Sequence, residues 1–472
     1  MALHQDISVA KWRETSPGFY TRPFDGLGQI YKVLTDVDPM HWMMSTTVKL
    51  LIPSHINLVT AARTAWITLR YEQPSIASKV DREQGLMTYT VSTETETHAW
   101  LAETFVIVEE TVSAQALRPK VPPASRPTLY VLPNTNELMF RSNHMHIDAI
   151  GCFDIMNDII ELITRPRKAS FEYDGSEAKN LAPVLEDAAN LPAATAAETQ
   201  KAKDILTNHL ANLPSIGQAF DPASKAQSSR TVTTKFGEDL TKKVLDACKK
   251  LGVTPTHAIQ SAIALAVERE VRQEDGLLSY AGLMIANERP NVLDHATSQH
   301  CNLYMMGLPI SVKLSGHDDF LSIMREYQKQ YLANSRGGRD LEEHKEHLTI
   351  GCQFLLELSK GLTSAPPVER SANEPILSSL GVIERHIKND YPGVSAGEQL
   401  KVDDFWFWVD TMSQQNIVYL WTFAGRMTIT TCFNDGYYSK EYVDRWHRSV
   451  EEIMLEGLGL SGQGKGLEHV II

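Results

Sequence analysis

At 472 residues, with 43% hydrophobic and 22% charged residues, the chain has the balance of a globular protein too long for one ordinary core, so two domains are expected. A net charge of -13, with no basic run or basic aromatic patch, removes any general attraction to phosphate backbones and excludes nucleic acid as a partner. No apolar run approaches bilayer length, so no membrane span is expected, and residues 1–14 are mixed polar without a signal-peptide core.

Residues 1–43 hold aromatic-rich patches without a clear period and read as an entry segment packed on the body. A strand is expected over 44–52. A helix over 56–71 follows from Leu58, Ala61, Ala62, Ala65, Trp66 and Leu69 at helical spacing, with a stop before Pro74. Strands come next at 86–91 and 105–108. Leu129-Tyr130-Val131-Leu132 and Leu138-Met139-Phe140 flank the turn formers from Pro133 to Asn136, which predicts a hairpin. Beyond it Ile150, Phe153, Ile155, Ile159, Ile160 and Ile163 recur at helical spacing. From about residue 165 to 229, small and polar residues with several prolines mark a crossover that contains one helical stretch over 196–210.

The second half opens with a strand over 231–236 and helices over 239–250 and 256–270. Gly252 ends the first helix, while Thr254 and Pro255 suit the cap and first position of the second. Ala258, Ile259, Ala262, Ile263, Leu265 and Ala266 make that second helix apolar almost all round, hence central to the core. Further strands are expected at 283–286, 304–312, 376–384, 404–410, 418–424 and 427–433, and helices at 319–332 and 440–455. The Gly-rich residues 457–466 lack the preceding strand and following helix of a phosphate loop and read as a flexible tail. Strands and helices mix in each half without the regular alternation of a doubly wound sheet. The expected fold class is therefore α/β with mixed sheets: an N-terminal lobe at 1–165, a crossover at 166–229 and a C-terminal lobe at 230–472.

The stretch His144-Met145-His146-Ile147-Asp148-Ala149-Ile150-Gly151 starts where a strand ends and runs into a helix, so packed elements hold its side chains on both sides. An imidazole with a pKa near ~6.5 is mostly neutral at neutral pH, and accepting a proton in the transition state is worth roughly 10² to 10⁴ in rate. That chemistry suits a hydroxyl or amine attacking a carbonyl. Asp148 can fix the loop by accepting backbone or arginine hydrogen bonds. The spacing is not diagnostic alone: His386 to Asp390 repeats it between charged residues and a Tyr-Pro-Gly turn, which reads as a solvated loop. Cys152 reads as a small buried hydrophobe rather than a nucleophile, and His146 as a packed side chain. His344 and His347 fall in a charged helical run that reads as a solvated face, so no metal site is expected. The five cysteines stand far apart without a C-x-x-C, the pattern of reduced thiols in a cytoplasmic protein.

The order strand, hairpin, strand, His144-x-x-x-Asp148-x-x-Gly151, helix resembles the active-site segment of the CoA-dependent acyltransferase superfamily, which includes BAHD acyltransferases, peptide-synthetase condensation domains and fungal trichothecene O-acetyltransferases. Leu69-Arg70-Tyr71-Glu72-Gln73-Pro74 resembles the end of that superfamily's early helix. Ala247-Cys248-Lys249-Lys250-Leu251-Gly252-Val253-Thr254-Pro255-Thr256 with its apolar helix resembles the opening of its second half. Pro375-Ile376-Leu377-Ser378-Ser379-Leu380-Gly381 is similar to its serine- and glycine-containing strand, and residues 423–434 to its late hairpin, which ends near an asparagine. Asn143 stands where condensation domains carry a second histidine, Ala149 where glycine is usual, and Asp404-Phe405-Trp406-Phe407-Trp408 in place of the plant D-F-G-W-G box. Length and this Trp-rich segment look most like the trichothecene 15-O-acetyltransferase relatives.

The resemblance implies a two-lobed, chloramphenicol acetyltransferase-like fold with the histidine in a channel between the lobes. It implies His144 as general base and Asp148 as a loop-shaping group paired with an arginine, for which Arg289 in Asn287-Glu288-Arg289-Pro290 is the candidate. Gly151 would let the helix approach closely. Ser378, Ser379 and Asn434 would line the tunnel or stabilise the oxyanion, a task for preorganised donors. The implied activity is acyl-CoA-dependent O-acyl transfer, most often O-acetyl transfer, to a hydroxyl of a secondary metabolite such as a terpenoid. Acyl-CoA is a co-substrate, no cofactor is bound, and the small-molecule alcohol acceptor meets a monomer. The alternative is a condensation-like enzyme that uses a carrier-bound thioester or cyclises its substrate without CoA.

Overall fold

A computed structural model describes residues 10–167, 173–271, 278–292, 299–316, 318–335, 339–364, 372–393, 399–463 and 467–472. The chain forms two compact units that interleave along the sequence, whereas the sequence reading expects contiguous lobes. The first comprises residues 1–193, 287–305 and 383–409; the second comprises 194–286, 306–382 and 410–472. The crossover expected at 166–229 is thus shared between them, and two segments from the second half complete the first unit.

The first unit is built on a six-stranded sheet in the order Asp390–Pro392, Gln399–Asp410, Met43–Leu51, Glu137–Asn143, Thr128–Leu132, Phe105–Ile107. Glu137–Asn143 lies between two antiparallel neighbours, Met43–Leu51 and Thr128–Leu132, and every one of its residues is buried. Its hairpin turn uses Asn136 at φ +55°, a left-handed conformation that asparagine tolerates. The strand leads through the His144 stretch into the helix Ala149–Thr164, which buries Phe153, Ile155, Ile159 and Ile160 and packs on the helix Leu58–Glu72. A strand followed at once by a packed helix leaves the intervening loop little freedom.

Residues 10–43 carry more structure than the sequence reading expects. Arg13–Ser16 and Phe19–Pro23 join Leu86–Thr90 and Lys79–Asp81 in a four-stranded antiparallel sheet, and Gly26–Thr35 is a helix. Two glycines in its first turn lower its helix propensity and mask the buried stripe of Leu27, Ile30, Tyr31 and Val33. Asp25 secures the start, its side chain accepting a hydrogen bond from Gly28 N. The helix Glu94–Thr104 also escapes the apolar periodicity, because it buries only Thr97, Trp100, Leu101 and Thr104.

The second unit carries a five-stranded sheet in the order Ile376–Val382, Ile417–Phe423, Arg426–Asn434, Ser229–Lys235, Glu468–Ile471, the first pair parallel and the others antiparallel. The helix Pro255–Val271 is buried from His257 to Glu268 without a break, as its apolar circumference predicts. Gly252 ends the preceding helix at φ +67°. The Gly-rich stretch is not simply a tail: Gly464, Lys465 and Gly466 lie outside the described residues, but the chain beyond them returns to the sheet as Glu468–Ile471. There His469 Nε2 and His447 Nε2 approach the two oxygens of buried Glu451 at 2.9 and 3.0 Å. His344 and His347 are no solvated pair either, since His344 is 1% exposed on the helix Leu341–Ser364.

Candidate active site

His144 follows directly from the buried strand, and its N–H donates to the carbonyl of Trp42 at 3.1 Å. Trp42 precedes the neighbouring strand and is held at φ +59°, a conformation that costs a bulky residue about 1–3 kcal/mol and persists only where surroundings enforce it. That turn also sets its ring at 71° to the imidazole in a T-shaped pair, centroids 5.7 Å apart. On one face of the imidazole lies Tyr31, stacked at 4.0 Å with 15° between planes, its hydroxyl 3.1 Å from Nε2. Burial in this aromatic setting pushes the His144 pKa down to about 4, against the opposing pull of the Asp148 charge and the main-chain carbonyls of His144 and Ile147. His144 is therefore a neutral acceptor throughout the physiological range.

Asp148 caps the helix. Oδ1 accepts the Gly151 N–H at 2.8 Å and Oδ2 the Tyr304 N–H at 2.8 Å, while Arg289 Nη1 lies 2.8 Å from Oδ1 and 2.9 Å from Oδ2. The carboxylate is thus fully engaged by two main-chain donors and one guanidinium, and it organises the loop rather than touching the imidazole. Burial works against the Arg289 charge, but Asp148, Asp154 and Tyr304 outweigh it and hold the guanidinium above its ordinary pKa. Gly151 makes the pairing sterically possible: a Cβ there would lie 2.3 Å from the His300 carbonyl and 2.8 Å from Arg289 Nη2.

Behind Arg289 stands a second carboxylate that the sequence reading passes over. Asp154 Oδ2 is 3.7 Å from Arg289 Nε, and its Oδ1 is 2.8 Å from His386 Nδ1. His386 is therefore no member of a solvated loop; its ring packs near Phe153 and closes on the motif helix. His146 is buried, and burial pushes its pKa to about 4. Cys152 is 1% exposed, with its thiol held well above its usual range by burial, the state of an inert packed side chain. All five cysteines are buried thiols. Among the described residues no group of His, Cys, Asp and Glu side chains could hold a metal ion, and no helix is long and apolar enough to cross a membrane.

Ser378, Ser379 and Asn434 belong to the second unit. Ser378 is half-buried in the edge strand Ile376–Val382, and Ser379 Oγ shares a hydrogen bond with Thr256 Oγ1 at 2.8 Å. Asn434 is completely buried and its amide is committed to main chain, accepting from Gln227 N at 2.7 Å and donating to Thr411 O at 2.9 Å. The residues that sequence reading misses at the site are Tyr31, Trp42 and Asp154. For Tyr31 a signal exists, in the helical spacing of Leu27, Ile30, Tyr31 and Leu34; Trp42 acquires its place only through strand pairing.

No protein-family model matches the sequence. The chain is 27% identical to the O-acetyltransferase pigM of Monascus ruber over 471 residues, covering 95% of this chain and 87% of that protein. It is 23% identical to the acetyltransferase pigO of the same organism over 468 residues, covering 95% and 98% of the two chains. The solved trichothecene 15-O-acetyltransferase of Fusarium sporotrichioides matches the fold with a TM-score of 0.81 at 20% identity, covering 96% of this chain and 99% of that one. The protein is, on these full-length relationships, an acyltransferase of mixed α/β fold, and the likeness to fungal acetyltransferases expected from its motifs is found.

Proposed function

We propose that this chain is an acyl-CoA-dependent O-acetyltransferase acting on a hydroxylated secondary metabolite, with His144 as general base and Asp148 as a positioning residue. The observation that carries this reading is the division of labour between the two side chains. His144 is uncharged and has a ring nitrogen that accepts, whereas the hydrogen-bonding capacity of Asp148 is spent on Gly151, Tyr304 and Arg289. An acceptor hydroxyl hydrogen-bonded to Nε2 passes its proton to the ring as its oxygen bonds to the thioester carbonyl carbon. Collapse of the tetrahedral intermediate breaks the C–S bond, and the thiolate leaves with the proton returned from the imidazolium. An ester and the free thiol of CoA result.

Buried cysteine thiols suit a reducing, cytoplasmic compartment. The test is thiol release from acetyl-CoA by wild type and His144→Ala with a panel of polycyclic and terpenoid alcohols, the products identified by mass spectrometry. An acetylated product that disappears in the variant is expected. Full-rate transfer by His144→Ala would remove the proposed base, and turnover only with a carrier-bound thioester would replace CoA as donor.

A further inference from the structure

The aromatic ring lying on His144 has no role in the proton transfer just described. Tyr31 and His144 are parallel to within 15°, with centroids 4.0 Å apart. The phenol oxygen is also in hydrogen-bond contact with Nε2 at 3.1 Å, the imidazole tautomer setting which of the two donates. The π face of Tyr31 thus covers the ring that must become charged.

The placement is over-determined. The Asp25 cap fixes the start of the Tyr31 helix, the Thr35 hydroxyl donates to the Tyr31 carbonyl at 2.7 Å, and Trp42 meets the Tyr31 ring edge-on at 5.5 Å. Burial opposes a charge on His144 and outweighs the favourable pull of Asp148, whose carboxylate is ion-paired to Arg289. Something must offset the cost of the transient imidazolium. A cation over an aromatic face within about 6 Å is attracted by the ring quadrupole, a neutral imidazole far less so. The interaction thus strengthens as the proton arrives, which is the condition for accelerating the step.

We propose, building on the reading of His144 as base, that Tyr31 is a catalytic residue whose ring face stabilises the imidazolium formed during acyl transfer. Burial and the Asp148 charge hold the Tyr31 hydroxyl above its ordinary pKa, and the role proposed here belongs to the ring face. The test measures kcat and KM of acetyl transfer for wild type, Tyr31→Phe, Tyr31→Leu, and proteins carrying singly, doubly or triply fluorinated phenylalanine at position 31. Tyr31→Phe should stay within about threefold of wild-type kcat. Each added fluorine should lower kcat in steps, and Tyr31→Leu should lose about tenfold in kcat with the acceptor KM little changed. Fluorination withdraws charge from the ring face while nearly preserving its shape, so a merely structural residue would not follow the series. A flat series overturns the proposal, as does an equal loss in Tyr31→Phe and Tyr31→Leu, which would shift the role to the hydroxyl. If His144→Ala is inactive and the series is flat, only the role of Tyr31 falls; if His144→Ala keeps the wild-type rate, the base falls and Tyr31 with it.

Discussion

Arg289 Nη1 contacts both oxygens of Asp148, at 2.8 and 2.9 Å, across 141 residues of sequence. The pair ties a loop of the chain's second half to the cap of the motif helix. His144, four residues earlier, takes no part in that ion pair, so the proposed roles of base and brace rest on chemically separate side chains within one turn.

Asp148→Asn should destabilise the protein by about 3 kcal/mol, because it leaves the buried Arg289 charge with only the more distant Asp154, 3.7 Å from Nε, as counter-ion. His144→Ala should abolish acetyl transfer with a much smaller change in stability. Melting temperatures of the two purified variants, set beside their thiol-release rates, check this. Equal losses of melting temperature would contradict the separation of roles.

Gly151→Ala introduces a methyl group 2.3 Å from the His300 carbonyl, 2.7 Å from Ile147 Cγ1 and 2.8 Å from Arg289 Nη2. Overpacking of this kind costs about 1–3 kcal/mol. Since the displaced groups include the partner of Asp148, kcat should fall as well. A structure of the variant should show the guanidinium moved from the carboxylate, and an active variant with the pair undisturbed would refute the account.

Activity should persist well below the pH at which an ordinary histidine charges, because burial holds His144 at about 4. The acid limb of kcat/KM is therefore expected near pH 4. Stability has the opposite sensitivity. His41, His144, His146 and His257 all sit at about 4 when folded and near ~6.5 when unfolded, so the unfolded chain binds more protons between these values and acid favours it. Melting temperature should fall as pH is lowered from about 6.5 toward 4; a flat profile over that window would count against buried neutral imidazoles.

Glu451→Gln should loosen the C-terminal strand. The carboxylate is held at about 2 by hydrogen bonds to His447 and His469 that outweigh its burial. Its stabilisation is complete above its unfolded pKa and disappears as pH falls through the folded value. In the variant, faster hydrogen exchange is expected in Glu468–Ile471 and its partner Ser229–Lys235. Unchanged protection of both strands would show that backbone pairing alone holds the terminus.

Much of this protein is set by local sequence. The hairpin before His144, the apolar stripe of the motif helix, the Gly252 stop and the all-apolar helix at Pro255–Val271 are short-range consequences of turn chemistry and periodicity. The candidate base, its aspartate, and Arg289 as a possible partner were legible for the same reason, once a resemblance supplied the context that spacing lacks. What only the tertiary structure decided are the long-range meetings. Tyr31 reaches His144 across 113 residues, and His386, in what reads as an exposed loop, reaches Asp154 across 232. No local period encodes such meetings, because they arise from strand pairing and helix docking that bury one side chain against another far along the chain. The same burial sets the electrostatics: an ordinary histidine in the sequence becomes a neutral imidazole only when folding surrounds it with Tyr31 and Trp42 and takes it out of water.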